Sequence, residues 1–331
     1  MSLTRFLVRT IAAIFSTSMV CPANAAVITT DSLIRPEGAR HYLLAQSANT
    51  NNEKRPLVIV LHGHGSNAAT TLGKNKNIND PAAVWLDVVD RENVLVVVPD
   101  GWRGSDDKQG WNDCRADAST NPNTDDVGFI AALIDKAIAD LNVDPHRVYI
   151  TGMSNGGAMT YRLAIELGPR IAAVAVGLAL MPVKSLCPVM THPMSILITH
   201  GTNDKIAPYA GGEVGHWLLH GRGSGIPVED SIKLWLNLAQ LPDSPVIASI
   251  PHRDKSDPTS ATRYVWGNDP EKIQIAFLKI SKGGHCEPSI ARRLSWLVVT
   301  LMGEQNADVE FAEESWAFFK DKRSSYGVKL F

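Results

Sequence analysis

The chain has 331 residues, of which 44% are hydrophobic and 20% charged, a composition typical of one large globular α/β domain. Its formal net charge is only −2, and the sequence shows neither a basic stripe nor aromatic residues interleaved with basic ones. These features argue against a nucleic-acid-binding protein.

The first 25 residues have the pattern of a secretory signal peptide. Arg5 and Arg9 supply a positive n-region, residues 10–20 form a short and largely apolar stretch, and Ala23-Asn24-Ala25 offers a small-x-small cleavage site. The apolar stretch is too short to span a bilayer. We therefore expect a signal peptide at 1–25 and a catalytic domain at 26–331 that is secreted or periplasmic.

The patterns before residue 145 predict a β-hairpin at 31–46, strands at 56–61 and 94–98, a long polar loop at 104–123 and a helix from 127 onward. The two strands are apolar on both faces, as parallel strands covered by helices on either side are. The helix is indicated by apolar residues at helical spacing, with Thr124 as its expected N-cap.

The segment 148–157 places a serine between a strand and a helix. The pattern Gly-x-Ser-x-Gly in this position is typical of a nucleophile elbow, whose sharp turn requires residues without bulky Cβ groups at Gly152 and Gly156. We therefore interpret Ser154 as a candidate nucleophile. The alternative is a chance glycine-rich turn before a helix.

Beyond the elbow, strands are expected at 171–180, 194–199 and 273–280, with a doubtful strand at 246–250 and a closing helix at 309–320. Strands that alternate with helices predict an α/β fold with one doubly wound, mostly parallel sheet.

A nucleophilic serine needs a base, and the base needs an acid that orients it. When a nucleophile elbow carries the serine, the acid and then the histidine follow it along the chain. Asp204 comes directly after the predicted strand 194–199 and is the candidate acid, although an Asx-turn is its structural alternative. Glu229 and Asp230 are weaker candidates, because they fit the cap of a helix at 231–238.

Six of the ten histidines follow Ser154. His285 comes after a clear strand, and Gly283-Gly284 before it would let the side chain reach over the sheet edge. His252, which follows the doubtful strand, is its main rival. We expect His285 to be the base.

Hydrolysis also needs N–H donors directed at the oxyanion. The backbone N–H groups of Asn155 and His64 are the expected pair, since His64 lies in the His-Gly-His-Gly segment after the strand 56–61. The side chains of His62 and His64 suggest a metal site as an alternative, but no third ligand is identifiable. We expect no metal and no other cofactor.

Together these motifs resemble those of the secreted polyhydroxybutyrate-depolymerase-like esterases, a group close to the feruloyl and acetylxylan esterases of the LpqC type. The motifs lie, in the order of that family, at 61–65, 98–101, 110–112, 125–129, 152–157, 200–204 and 283–285. The resemblance implies an α/β-hydrolase fold and the triad Ser154, Asp204 and His285. It also implies that Asp125 and Asp126 are structural caps at a helix start.

Two departures from the family pattern leave the substrate open. The family often continues its histidine motif with Thr-Trp-Pro, whereas this chain has Cys286-Glu287-Pro288. Some related fungal esterases have a cysteine before the serine that is bridged to one after the histidine, but Met153 occupies that position here. Trp111 is a candidate for stacking on the acyl group of the substrate, or alternatively a buried core aromatic.

Once Cys21 leaves with the signal peptide, three cysteines remain, and an oxidising compartment permits one disulfide. Spacing alone does not choose among the three pairs. The resemblance favours Cys114 with Cys187, because related esterases tend to carry cysteines in both places, and both lie in loops at the expected catalytic edge.

These features predict an exported serine carboxylic-ester hydrolase that forms an acyl-enzyme with short-chain hydroxyacyl or aryl esters, including a polyester or a feruloylated polysaccharide. A feruloyl or acetylxylan esterase is the near alternative. A serine peptidase or a non-catalytic binding protein of the same fold is the alternative from another class. The insert 209–226 either borders the pocket or is a surface loop. Its small apolar cluster at 217–219 favours short acyl chains over long ones.

Overall fold

The computed structural model describes residues 26–48, 53–215 and 219–325. The predicted signal peptide at 1–25 lies outside these ranges, so the signal peptide and the domain bounds remain predictions. The strands are β1 (Val27–Arg35), β2 (Gly38–Gln46), β3 (Arg55–Leu61), β4 (Leu95–Pro99), β5 (Trp102–Arg103), β6 (Gln109–Gly110), β7 (Val143–Met153), β8 (Ala173–Gly177), β9 (Ser195–Gly201), β10 (Gly212–Glu213), β11 (Ser224–Gly225), β12 (Val246–Ser249), β13 (Ser260–Trp266) and β14 (Ile275–Ser281). The helices are α1 (Ala68–Thr71), α2 (Trp85–Glu92), α3 (Asp126–Asp140), α4 (Asn155–Glu166), α5 (Val228–Ala239), α6 (Trp296–Met302) and α7 (Phe311–Phe319).

Ten of these strands form one sheet in the order β1-β2-β4-β3-β7-β8-β9-β14-β13-β12. The central run from β4 to β14 is parallel throughout, whereas β1 and β2 at one end and β13 and β12 at the other pair antiparallel. The predicted fold class, an α/β fold with a mostly parallel sheet, is therefore confirmed.

Both faces of the sheet are covered, as the continuous apolar runs predicted. In β3 the side chains of Leu57, Ile59 and Leu61 pack into one core, and those of Val58 and Val60 pack into the other. Helices α3, α4 and α5 cover the first face, and α2 and α7 cover the second. Each fully buried aliphatic side chain stabilises the fold by about 1.5–3 kcal/mol relative to an exposed one.

The start of α3 corrects two details of the sequence analysis. Its N-cap is Asp125, whose side chain accepts a hydrogen bond from the backbone N–H of Gly128, and not Thr124. Asp126 is no cap: it is fully buried, accepts a hydrogen bond from Arg40 Nη2 at 2.8 Å and another from the backbone N–H of Asn112. Asp126 therefore joins the first hairpin, through Arg40, to the loop after β6.

Three of the longer elements were not predicted from the sequence, namely α2, β13 and α6, and neither were the short elements α1, β5, β6, β10 and β11. The doubtful strand at 246–250 exists as β12, an edge strand whose residues are all exposed. Helix α5 starts at Val228, so Glu229 and Asp230 lie in its first turn and do not cap it. No helix within the described ranges is both long and apolar enough to cross a membrane.

The parallel strands β3, β7, β9 and β14 end at the same edge of the sheet. The loops that follow them carry His64, Ser154, Asp204 and His285, respectively. Residues far apart in sequence therefore meet at this edge because the strand order places their strands side by side.

Candidate active site

Ser154 lies in a tight turn between β7 and α4. Its backbone has φ of 56° and ψ of −120°, a conformation that L-residues rarely adopt. The turn is held by a hydrogen bond from its N–H to the carbonyl of Gly177 and by close backbone contacts at the flanking glycines. A Cβ on Gly156 would lie only 2.2 Å from the carbonyl oxygen of Leu61, so this position cannot hold a larger residue without moving the chain. This is the geometry that the Gly-x-Ser-x-Gly pattern predicted.

The three residues predicted as a triad are connected by hydrogen bonds. His285 Nε2 lies 2.8 Å from Ser154 Oγ, and His285 Nδ1 lies 2.7 Å from Asp204 Oδ2. Asp204 and His285 are both buried. With Nδ1–H donating to the carboxylate, Nε2 is the free acceptor that faces the serine hydroxyl.

The carboxylate of Asp204 is held in a fixed orientation. Its Oδ1 accepts hydrogen bonds from the backbone N–H groups of Ile206 and Ala207, both at 2.8 Å, which leaves Oδ2 for His285. Burial acts against its charge, but His285, His200 and the backbone donors outweigh burial and lower the pKa of Asp204 below its usual value. The Asx-turn proposed as a structural alternative is thus present, and the same carboxylate also contacts the histidine.

The rival residues are engaged elsewhere. His252 Nδ1 lies 2.9 Å from Asp308, so its ring belongs to a different pair. His200, which was not a predicted site residue, is fully buried, with Nε2 2.8 Å from the carbonyl of Ala207 and 3.6 Å from Asp204 Oδ2. Glu229 accepts a hydrogen bond from the hydroxyl of Tyr209 on the flank of the sheet.

The two expected oxyanion donors, Asn155 and His64, line the same small cavity beside the serine. Asn155 is the first residue of α4, where the backbone N–H has no acceptor within the helix. The loop after β3 packs against the elbow, since a Cβ on Gly63 would lie 3.5 Å from Ser154 Cβ. Within the described ranges the backbone N–H of His64 has no hydrogen-bond acceptor. Both N–H groups are therefore free to bind an oxygen.

The side chain of Asn155 anchors the loop after β6. Its Oδ1 accepts from the N–H of Trp111 at 2.8 Å, and its Nδ2 donates to Asp113 Oδ2 at 2.7 Å and to the carbonyl of Trp111. This role of the Asn155 side chain was not predicted from the sequence. A buried amide that uses all its polar atoms in this way fixes the position of its own backbone N–H.

The position of Trp111 contradicts the prediction that its ring stacks on the substrate. Its side chain is fully buried, with Nε1 donating to the carbonyl of His62 at 2.9 Å. No face of its ring is open, so the prediction that it stacks on a substrate acyl group is wrong. The alternative interpretation, a buried core aromatic, describes its position.

The side chains of His62 and His64, which follow β3, contact other groups of the protein. His62 is buried between Gly63 O and the N–H of Gly101, each within 2.9 Å of a ring nitrogen. His64 Nε2 lies 2.8 Å from Asp106, and burial together with the nearby Arg222 lowers the pKa of His64 to about 4. In the parts of the chain that the structure covers, no three potential metal ligands cluster.

Two cavities meet at Ser154. The larger has a volume of about 230 Å³ and runs between His285 and the loop after β3. The smaller, of about 20 Å³, lies on the side of Asn155 and His64. A cavity of the larger size, next to the serine hydroxyl, can hold a small acyl group.

Helix α6 forms part of the wall of the larger cavity, a feature that the sequence analysis missed. Val298 and Met302 line the cavity, while Trp296 is 78% exposed and Leu297 is 54% exposed. The insert 209–226 borders the smaller cavity through Val214, Leu219 and Arg222, so the first of the two interpretations given for it holds. Most of the predicted apolar cluster at 217–219 lies outside the described residues.

The predicted disulfide between Cys114 and Cys187 is confirmed, with the two Cα atoms 5.4 Å apart. It joins the loop after β6, which Asn155 anchors, to the loop after β8. Cys286 is a buried free thiol that donates to the carbonyl of Gly303, and burial raises its pKa to about 12. A thiol with so high a pKa is a poor nucleophile.

Comparison with known proteins places this geometry in a family. A family model described as phospholipase/carboxylesterase matches residues 45–221, more than half of the chain. The chain belongs to this family. The phospholipase/carboxylesterase match covers β3, the elbow and the serine, and ends before His285.

The chain is similar to proteins named as esterases and as a depolymerase. The chain is 25% identical over 258 residues to a bifunctional acetylxylan esterase/xylanase, XynS20E, of Neocallimastix patriciarum, covering 77% of this chain and 32% of the relative. It is 28% identical to feruloyl esterase C of Emericella nidulans (55% of this chain, 61% of the relative) and 26% identical to a poly(3-hydroxybutyrate) depolymerase of Ralstonia pickettii (53% and 35%). In each case the match spans less than two thirds of the relative's length.

Among solved structures, an acetyl xylan esterase from Aspergillus awamori superposes with a TM-score of 0.50, covering 76% of this chain and 92% of that one at 12% identity. At this identity the likeness shows the fold alone. It agrees with the α/β-hydrolase fold of this phospholipase/carboxylesterase family member.

Proposed function

We propose that the protein is an exported serine carboxylic-ester hydrolase that acts through an acyl-enzyme, with Ser154 as nucleophile, His285 as base and Asp204 as the acid that orients it. The observation that carries the proposal is the continuous hydrogen-bonded relay from Ser154 Oγ through His285 to Asp204, at 2.8 and 2.7 Å. A structural serine has no need of such a relay.

In the proposed mechanism, His285 Nε2 takes the proton from Ser154 Oγ while the oxygen attacks the ester carbonyl carbon. The N–H groups of His64 and Asn155 bind the negative oxygen of the tetrahedral intermediate. His285 then returns the proton to the leaving alcohol, and the acyl group stays on Ser154. Water, deprotonated by His285, releases the acid by the same steps.

The proposed substrates are short-chain hydroxyacyl or aryl esters, including polymeric ones such as a polyester or a feruloylated polysaccharide. The cavity volume of about 230 Å³ supports a small acyl group. The relatives support two candidates within this class, a polyhydroxybutyrate depolymerase-like activity and a feruloyl or acetylxylan esterase activity. Export, proposed from the N-terminal pattern, suits a polymer that cannot enter a cell.

The proposal is tested by labelling with a fluorophosphonate probe, which reacts with activated serines. We expect strong labelling of the wild type and none of Ser154→Ala. Ser66→Ala is a matched control, because Ser66 also lines the larger cavity but has no histidine partner in the described chain. Equal labelling of wild type and Ser154→Ala would refute the proposed nucleophile.

A further inference from the structure

Glu287 is a buried carboxyl group for which the proposed mechanism has no use. It follows His285 by two residues on the loop after β14, and its side chain lines the larger cavity beside Ser154. The residue is only 7% exposed, and no donor in the described ranges forms a hydrogen bond with its carboxyl group. A carboxyl group that borders a cavity and has no partner in the described protein is available to a bound ligand.

The charged neighbours of Glu287 do not supply a partner. Asp80, which lines the same cavity, caps the N–H of Ala82. Glu310 accepts from the Ser289 hydroxyl and from two backbone N–H groups of the same loop. Burial, and then the nearby carboxylates of Asp80 and Glu310, raise the pKa of Glu287 well above its usual value. Such a setting favours the neutral form of the carboxyl group, which can both donate and accept a hydrogen bond.

The remaining wall of the cavity is mostly apolar. Its apolar side chains include Trp85, Leu294, Val298, Met302 and Phe311. The hydroxyl-bearing residues Ser66, Thr71 and Thr151 also line the cavity, so Glu287 is one of a small number of polar groups that orient a ligand there. The position is also one where this chain departs from the family it resembles, which often has a tryptophan there.

We propose that Glu287 is a specificity-determining residue that forms a hydrogen bond with a hydroxyl group on the acyl part of the ester. This inference rests on the proposed function, because it places the acyl group in the cavity beside Ser154. The acyl group must occupy space next to the serine for the whole lifetime of the acyl-enzyme, whereas the alcohol leaves. Of the two cavities at Ser154, only that of about 230 Å³ is large enough.

The hydroxyl can be aliphatic, as in a hydroxyacyl group, or phenolic, as in a hydroxycinnamoyl group. Two substrate pairs separate these sources: p-nitrophenyl 3-hydroxybutyrate against p-nitrophenyl butyrate, and methyl 4-hydroxycinnamate against methyl cinnamate. For each pair, kcat/KM of the hydroxylated ester is divided by kcat/KM of the plain ester. Dividing this ratio by the ratio of the alkaline hydrolysis rates of the same two esters leaves the part that is due to recognition of the hydroxyl. A site built to bind a hydroxyl group discriminates against an analogue that lacks it.

The test compares three variants with the wild type. Glu287→Leu removes both donor and acceptor, Glu287→Gln keeps a neutral donor of the same shape, and Glu304→Leu makes the first change at an exposed carboxylate outside the cavity. We expect a preference for the hydroxylated ester of about tenfold or more in at least one pair, lost in Glu287→Leu and retained in Glu287→Gln and Glu304→Leu. The melting temperature of Glu287→Leu should rise or stay constant, which separates recognition from misfolding.

Several results would overturn the inference. Glu287 does not bind a hydroxyl if the wild type shows no preference for the hydroxylated ester, or if that preference survives in Glu287→Leu. The same conclusion follows if Glu287→Gln and Glu287→Leu lose the preference equally. Faster cleavage of butyrylthiocholine than of the hydroxylated esters would show that the carboxyl groups bind a cation instead. If Ser154-dependent cleavage of the plain esters persists in these cases, the proposed function stands and only the role of Glu287 fails. If no ester is cleaved and Ser154 is not labelled, both fail.

Discussion

Removing the Cys114–Cys187 disulfide should lower the free energy of unfolding by an amount set by the length of the loop that the bond closes. The bond closes a segment with a sequence separation of 73 residues. In the chain-entropy description, a loop of that length gives about 4.4 kcal/mol at 25 °C, as an upper value. For a domain of about 300 residues, this corresponds to a fall in Tm of roughly 7 °C.

The measurement is equilibrium unfolding in urea, followed by tryptophan fluorescence, of the wild type and of the double variant Cys114→Ala/Cys187→Ala. Cys286→Ala is the control, because it removes a buried cysteine and leaves the disulfide intact. A reductant should lower the stability of the wild type and of Cys286→Ala but not that of the double variant. Since the disulfide holds the loop that Asn155 anchors, we also expect ester hydrolysis by the double variant to be lost at a lower temperature.

A loss of less than about 1 kcal/mol would refute this reasoning, because it would mean that the bond does not restrict the unfolded chain as the loop length implies. The same conclusion would follow if Cys286→Ala were as destabilised as the double variant. The slope of the free energy of unfolding against urea must also be compared between variants, since the bond changes the surface that the unfolded chain exposes.

Three further predictions concern activity and packing. His285→Ala should lower kcat on an activated ester by at least about a thousandfold, whereas His252→Ala, which removes a pair with Asp308, should change kcat little. The reverse pattern would show that His252, and not His285, is the base. Asp126→Asn leaves the buried Arg40 with Glu37 as its remaining carboxylate partner and should cost about 1.5–3 kcal/mol in urea unfolding; a loss under 1 kcal/mol would contradict a stabilising contact between Arg40 and Asp126. On a p-nitrophenyl ester series from acetate to palmitate, kcat/KM should fall at the longer chains because the cavity is small, and a maximum at palmitate would contradict this.

The parts of the fold that the sequence predicts are those in which a local pattern and the tertiary environment agree. Strand β3 is apolar at every position because both of its faces are buried, so its type and its place in a parallel sheet could both be read from residues 56–61. The elbow is predictable for a similar reason, since its backbone leaves room only for glycine at Gly156. Asp204 and His285 followed from the rule that catalytic loops lie at the carboxyl ends of strands.

The parts that could not be predicted depend on contacts between distant segments. Trp111 has the same local sequence whether it faces a pocket or the core, and only its packing against His62 and Asn155 decides. The role of the Asn155 side chain depends on Asp113, 42 residues earlier. Helix α6 is short and apolar on most sides, so its sequence lacks the periodicity that distinguishes a pocket wall from a buried segment.

The strained turn at Ser154 divides the site into positions that can change during evolution and positions that cannot. At Gly152 and Gly156 even one added methyl group would press on the backbone and shift the serine away from His285. Within the part of the chain that the structure describes, the side chains of Glu287 and Val298 form no hydrogen bond that holds the elbow in place, so they can be exchanged without moving the reacting atoms. A lineage that carries this frame can therefore acquire new esters as substrates by changing the cavity wall, while the turn that carries the serine stays the same.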